Sequence, residues 1–152
     1  MRHHVSKVLP YRPEQLFALV GDVGAYPEFV PWIASIRTWN HRPLGEGVDQ
    51  VDAEVAVGFS FLRERFSTRV RRDVKARQID VTLISGPFRK LENRWRFLDD
   101  PGGTLVEFDI DFVFKSRLLD ALLQANFAQS VAKLMSGFEA RAKALYGGAQ
   151  AA

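Results

Sequence analysis

Between residues 51 and 114 apolar and polar residues alternate with a period of two, and from 117 to 146 the period becomes that of an α-helix. A chain in that order builds an antiparallel sheet with one wet face, and one long helix is left to cover the dry face. In 51–61, Val51, Ala53, Val55, Val57, Phe59 and Phe61 share one side. In 63–71, Phe66, Thr68 and Val70 oppose Arg63, Arg65, Ser67, Arg69 and Arg71. Ile79, Val81 and Leu83 oppose Asp80 and Thr82. Leu91, Asn93, Trp95 and Phe97 oppose Lys90, Glu92, Arg94 and Arg96, with Arg89 in the phase of Asn93. After the turn signal Asp100-Pro101-Gly102-Gly103, residues Val106, Phe108, Ile110, Phe112 and Phe114 form the next apolar side. Pairing Trp95 with Phe108 turns both inward and sets Arg96 beside Glu107 and Arg94 beside Asp109, so the apolar and charged faces agree on one register.

Ahead of the sheet, a first strand is expected at about 2–9, ended by Pro10. Pro13 suits a helix start, with Leu16, Phe17, Leu19 and Val20 as its apolar side and Gly21 and Gly24 as breakers. A second short helix or helical turn is expected in Tyr26–Ile33, between the constraints of Pro27 and Pro31. The final helix, about 117–146, carries Leu119, Leu122, Leu123, Phe127, Val131, Leu134, Met135 and Phe138 at spacings of three and four. The class is α+β: a curved antiparallel sheet of about seven strands wrapped around a long C-terminal helix, with two short helices after strand 1. One domain is expected over 1–147, followed by a flexible tail, 148–152.

The 152 residues suit a single core. Absent cysteines exclude a disulfide scaffold, a thiolate metal site and a cysteine nucleophile. The longest apolar run, Leu16 to Val20, falls far short of the roughly 20 residues that cross a bilayer. The first residues show no apolar h-region, so no signal peptide is expected, and a cytoplasmic protein, peripheral at most on an inner membrane, follows. The three histidines, His3, His4 and His41, stand near no acid or nucleophile at a telling spacing, and no nucleophile elbow, HExxH, P-loop or dinucleotide fingerprint occurs. His3-His4 is at most a weak metal pair. No enzyme activity, catalytic residue or metal site is expected.

Local motifs in this order resemble the START-like helix-grip domains, and within them the coenzyme-Q-binding branch that includes the ribosome association toxin family. The carrying residues are Tyr26-Pro27-Glu28-Phe29-Val30-Pro31-Trp32, Phe66-Ser67-Thr68-Arg69-Val70, Gly86-Pro87-Phe88-Arg89-Lys90-Leu91, Trp95-Arg96-Phe97, Val106-Glu107-Phe108, Phe112-Val113-Phe114-Lys115-Ser116 and Phe138-Glu139-Ala140-Arg141-Ala142. Ile33 departs from a cysteine common in that branch. The resemblance implies a single START-like lipid-binding domain whose partner is a polyprenyl quinone, ubiquinone, held as ligand rather than catalytic cofactor in support of respiratory electron transfer. Its other half implies a toxin-like protein that binds the large ribosomal subunit and blocks subunit association. START-like cyclases are enzymes, so the fold alone does not exclude chemistry.

The candidate ligand-binding residues are the aromatic interior, Phe59, Phe66, Phe88, Trp95, Phe108, Phe112 and Phe127, with Leu83, Leu91 and Met135; an ordinary core gives the same pattern. Phe29 and Trp32 in the proline-stiffened segment, and Leu119, Leu122 and Leu123 early in the long helix, are candidate rims; four leucines with Leu118 exceed what one helix face buries. Asn93 is a polar group at an inward position, structural or a donor to a quinone carbonyl. Residues 63–77 carry seven basic and two acidic residues. Arg63, Arg65, Arg69 and Arg71 on one sheet face are either a solvated surface or a contact for anionic lipid or ribosomal RNA. No aromatic platform interleaves them, and DNA is not an expected partner.

Overall fold

A computed structural model describes residues 2–59 and 62–147, the side chains of Phe59 and Leu62 excepted. Phe61 and the tail expected at 148–152 lie outside the described residues. Strand β1 (Arg2–Leu9) is followed by helix α1 (Pro13–Gly21) and a 3₁₀ helix (Val23–Glu28). Six further strands come next: β2 (Ile33–Gly45), β3 (Val48–Phe59), β4 (Leu62–Asp73), β5 (Gln78–Ser85), β6 (Phe88–Asp100) and β7 (Gly103–Phe114). Helix α2 (Arg117–Tyr146) closes the chain. The seven strands form one antiparallel sheet in the order β1-β7-β6-β5-β4-β3-β2, so the two short helices carry the chain from one edge of the sheet to the other.

Local chemistry sets these boundaries. Pro13 occupies the first turn of α1, where its missing N–H is no loss, and Gln15 Oε1 accepts from the Arg12 backbone N–H at 3.0 Å. The 3₁₀ helix starts three residues earlier and ends five earlier than the expected Tyr26–Ile33. It ends at Glu28 because Pro31 biases Val30 away from helical backbone. Ser116 caps α2, its Oγ accepting from the Leu119 N–H at 3.3 Å. The expected hairpin register holds: Trp95 faces Phe108, Arg96 faces Glu107 and Arg94 faces Asp109.

A bulge between Phe88 and Lys90 in β6 overturns one assignment. The extra residue shifts the phase, so Phe88 and Leu91, three apart, are both buried and Arg89 points to solvent. Two glycines are needed where backbones meet. Gly103 has φ of 128° and a Cβ there would lie 2.3 Å from the Leu9 carbonyl; Gly86 has φ of 146° and a Cβ there would lie 2.5 Å from Phe66 Cβ.

The core lies between the sheet and α2, whose buried residues Phe127, Val131, Met135, Phe138 and Ala142 recur on one face. Phe127 packs on Phe112 at 4.8 Å between ring centres, and Phe138 meets Trp95 edge-on at 5.1 Å. Burying such a ring contributes about 1.5–3 kcal/mol. The C-terminal half of α2 is tied down, since Tyr146 Oη donates to the Gln15 carbonyl at 2.9 Å. The N-terminal turns are looser: Leu119 and Leu123 are half-buried, and Leu118 and Leu122 are exposed.

Candidate functional site

The helix does not fill the concave face of the sheet. A cavity of about 290 Å³ remains, at the lower edge of the roughly 300–1,000 Å³ typical of small-molecule pockets. Strands β2 to β7, the 3₁₀ helix and α2 all contribute to its wall. Of the residues expected to bind ligand, Phe66, Phe88, Leu91, Asn93, Trp95, Phe108, Phe112 and Phe127 stand on this wall. Phe29 instead packs edge-on against Phe138 at 5.3 Å. Leu83, Leu119 and Leu123 are half-buried against the core, Met135 is buried within it, and Leu122 is on the surface. Trp32 is half-buried where the chain enters β2, its carbonyl accepting from Gly58 N–H at 2.9 Å. Phe59 ends β3, with its side chain outside the described residues.

Sequence reasoning missed other wall residues: Val23, Ile33, Ile36, Ala53, Val55, Val70, Ile79, Val81, Ile110, Phe114, Leu134 and Phe138. Strand phase already turned several of them inward. Ile33 and Ile36, three apart, were hidden by the bulge between Ile33 and Ser35.

Three polar side chains reach this apolar wall. Tyr26 donates its hydroxyl to the Val20 carbonyl, and burial pushes that phenol far above its ordinary range, so it stays neutral. Thr68 Oγ1 donates to the Ala53 carbonyl at 3.4 Å. Asn93 is different: its Oδ1 is buried and no described residue donates to it. It sits between Val81 and Ile110 on the neighbouring strands, and a buried amide oxygen without a partner is unusual in a folded protein. The wall carries no carboxylate, imidazole or amine among the described residues. Its chemistry is to hold an apolar molecule and offer it one amide.

The opposite face of the sheet is a grid of ion pairs. Arg69 binds Asp52 through two nitrogens, at 3.0 and 3.3 Å, and Asn40 adds a third contact at 3.0 Å. On the helix-covered side, at the edge of the core beside α1, Arg72 holds Asp49 at 2.7 Å through each of two nitrogens and donates to the Gly21 carbonyl at 2.9 Å. These guanidinium bonds keep both carboxyls below the usual aspartate range. Arg65 pairs with Glu54 at 3.1 Å, while Arg63 and Arg71 stand exposed with no ion pair among the described residues. His3 and His4 cannot share a metal, because strand alternation sends them to opposite faces. The His3 ring packs edge-on against Phe127 at 5.2 Å, and His4 Nδ1 lies 2.6 Å from Asp109. No group of three or more metal-ligating side chains occurs among the described residues, and none of their helices is long and apolar enough to cross a membrane.

Comparison with known proteins agrees with this geometry. The chain is 36% identical over 141 residues to the ribosome association toxin RatA of Rickettsia prowazekii, covering 91% of this chain and 93% of that protein. It is 31% identical over 147 residues to the mitochondrial coenzyme Q-binding protein COQ10 homolog B of Xenopus laevis, covering 93% of this chain and 58% of that protein. The solution structure of an 18 kDa protein from Caulobacter crescentus superposes with a TM-score of 0.83 at 61% identity, covering 97% of this chain and 99% of that one. A START superfamily protein of Mycobacterium smegmatis shares the fold at 22% identity, with a TM-score of 0.75 and coverage of 95% and 97%. The model of the polyketide cyclase / dehydrase and lipid transport family matches residues 9–139. With its seven-stranded sheet gripping one long helix, the chain belongs to that family.

Proposed function

We propose that this protein binds a polyprenyl quinone, ubiquinone, between sheet and helix and presents it in support of respiratory electron transfer, without catalysing a reaction on it. The observation that carries the reading is Asn93, the one wall side chain with a buried polar atom that no described residue satisfies. A quinone ring suits such a site. Its faces stack on Trp95, Phe108 and Phe112; its oxygens only accept, so the amide turns to donate an Nδ2–H to one of them, and the O–H of the reduced quinol is the donor that Oδ1 accepts. The ring brings redox chemistry with it; the chain's residues hold it, exclude water and orient one oxygen. A cavity of this size takes the ring and the start of a tail. The rest of the tail then runs out along the seam beside Leu119 and Leu123, where each Å² buried yields about 25 cal/mol. The name of the Xenopus relative supports the same ligand class. The role places the protein in the cytoplasm, peripheral to the inner membrane.

The test is organic extraction of the purified protein followed by mass spectrometry, with a titration of short-tailed ubiquinone read by melting temperature. Ligand at 100 times its Kd stabilises the folded state by about 2.7 kcal/mol, roughly 5–10 °C for a chain this long. An extract without quinone, together with an unmoved melting temperature, ends the reading. The likeness to RatA favours a second reading, association with the ribosome, which the resemblance in the sequence narrows to the large subunit. Its test is co-sedimentation with purified subunits.

A further inference from the structure

We propose that the end of the sheet at which α2 begins is a docking surface for anionic phospholipid bilayers. The end of β3, the start of β4, the β5–β6 turn and the junction of β7 with α2 all lie at this end. The Lys115 N–H donates to the Pro87 carbonyl at 2.8 Å, which draws the β7–α2 junction against the β5–β6 turn.

Two surface properties coincide here. The first is apolar exposure: Leu118 is 70% exposed, Leu122 39% and, at the end of β5, Ile84 42%. The second is charge. Arg89 on the β6 bulge, Lys115 and Arg117 beside the start of α2, and Arg63 near the start of β4 are all exposed, and none has an ion pair among the described residues. The acids nearest in sequence, Glu64, Glu92 and Asp120, pair with none of them. Asp120 is occupied by the Phe114 N–H at 3.2 Å and by Gln124 at 2.8 Å. Over the rest of the sheet most cations are matched: Arg65, Arg69, Arg72, Lys90, Arg94 and Arg96 each hold an acid.

Unpaired cations set around exposed leucines complement an anionic bilayer, where the charges meet headgroups and the leucines enter the boundary beneath them. A nucleic-acid phosphate surface rewards the cations and leaves the leucines in water. The position also serves the cavity. Phe66, Phe88 and Phe114 form its wall at this end, and the half-buried Leu119 and Leu123 lie between it and Leu118 and Leu122. Docking would therefore set the helix-side seam against the lipid that holds a quinone. That direction of transfer rests on the quinone reading; the docking itself does not.

The experiment is flotation with vesicles of phosphatidylglycerol and phosphatidylethanolamine, beside vesicles of phosphatidylcholine alone, none containing quinone. The wild-type chain is expected to float with the anionic vesicles and to lose most of that binding at 1 M salt, where the Debye length is about 3 Å. Each cation near an anionic surface changes binding about fivefold. The triple variant R89E/K115E/R117E should therefore bind on the order of 100-fold less or weaker still. A control triple, R42E/R71E/K133E, makes the same change in net charge at exposed cations elsewhere that have no ion pair among the described residues, and it should retain most of the binding. L118S/L122S should weaken binding at both salt concentrations. Failure of the wild type to float, or equal losses in the two triples, overturns the proposal. So does a wild type that stays off vesicles while the R89E triple loses co-sedimentation with large ribosomal subunits, which would assign the surface to RNA. Short-tailed ubiquinone should raise the melting temperature of both triples as it does that of the wild type. A docking failure with that shift intact spares the quinone reading, and a missing shift with docking intact spares the surface.

Discussion

Replacing Asn93 by valine should stabilise the protein and weaken its ligand binding, two effects of opposite sign from one side chain. Asn93 lies between Val81 and Ile110 on the adjacent strands, and its Oδ1 is buried without a donor. Leaving a buried acceptor unsatisfied costs about 1–3 kcal/mol. Valine removes that acceptor, suits a strand and completes an apolar row across β5, β6 and β7. For a chain of this length each kcal/mol moves the melting temperature by about 2–4 °C, so the variant should melt several degrees higher. If the amide meets a quinone oxygen, the same change removes one hydrogen bond of about 0.5–1.5 kcal/mol net, and affinity should fall about 2- to 10-fold. Asn93→Ala separates this loss from crowding, because alanine takes away the amide and leaves more room. Calorimetric melting and ubiquinone titration of both variants give the two readings. The account of the site fails if the valine variant is less stable than wild type, or if neither variant loses affinity. Such opposition is expected where a binding group is kept at the expense of stability.

Trp95→Phe should weaken ubiquinone binding more than Arg96→Ala, since Trp95 stands on the cavity wall and Arg96 pairs with Glu107 on the far face at 3.3 Å; equal effects in folded variants would remove Trp95 from the site. Asp49 and Asp52 have folded-state pKa values held below the unfolded value of about 3.9. Their contribution to stability is therefore complete above that value and is lost as pH falls through the lower folded values. Urea midpoints for D52N should accordingly lose part of the wild-type dependence on pH below about 4, and an unchanged slope would contradict the pairing with Arg69. Gly86→Ala should lower stability by about 1–3 kcal/mol and displace Phe66, because the new Cβ would lie 2.5 Å from Phe66 Cβ; a melting temperature at the wild-type value would show that the approach is not tight.

Strand phase and helix period read most of this fold from the sequence, because each reports which side of an element is dry. The bounds of α2, the β6–β7 register and the sidedness of Trp95, Phe108 and Phe112 follow from that information alone. Two things do not. A bulge inserts one residue without marking the alternation, so Arg89 reads as inward and is outward, and Ile33 with Ile36 reads as no pattern at all. Nor does dryness say what a residue faces. Met135 and Phe127 sit on the same side of α2, yet Phe127 borders the void and Met135 is packed within the core. That distinction depends on how far the helix axis stands from each strand, which is a property of the assembled sheet. Asn93 was legible as a polar residue in an apolar phase, and its missing partner was not, because its neighbours across the sheet come from β5 and β7.

Charge follows the same rule, with more consequence for function. Residues 63–77 carry seven basic side chains against two acids, which taken alone describes a strongly cationic strand. Pairing in the sheet changes the sum. Strand β3 lies beside β4 and supplies Asp52 and Glu54 to Arg69 and Arg65 on the outer face, and Asp49 to Arg72 on the side of α1. Farther along the same outer face, β7 supplies Glu107 and Asp111 to Arg96 and Lys90. The outer face therefore offers an approaching phosphate far less than its arginine content implies, since each paired guanidinium would have to leave a carboxylate to bind it. What remains are cations with no ion pair among the described residues: some, such as Arg42, Arg71 and Lys133, stand scattered, and four gather at one end of the sheet. Arg63, Arg89, Lys115 and Arg117 are all at strand or helix ends, on the side of the molecule where α2 begins. A chain of net charge +3 thereby acquires a directional charge through the order of its strands, and any anionic partner, lipid or RNA, would be oriented toward the cavity by the same four residues.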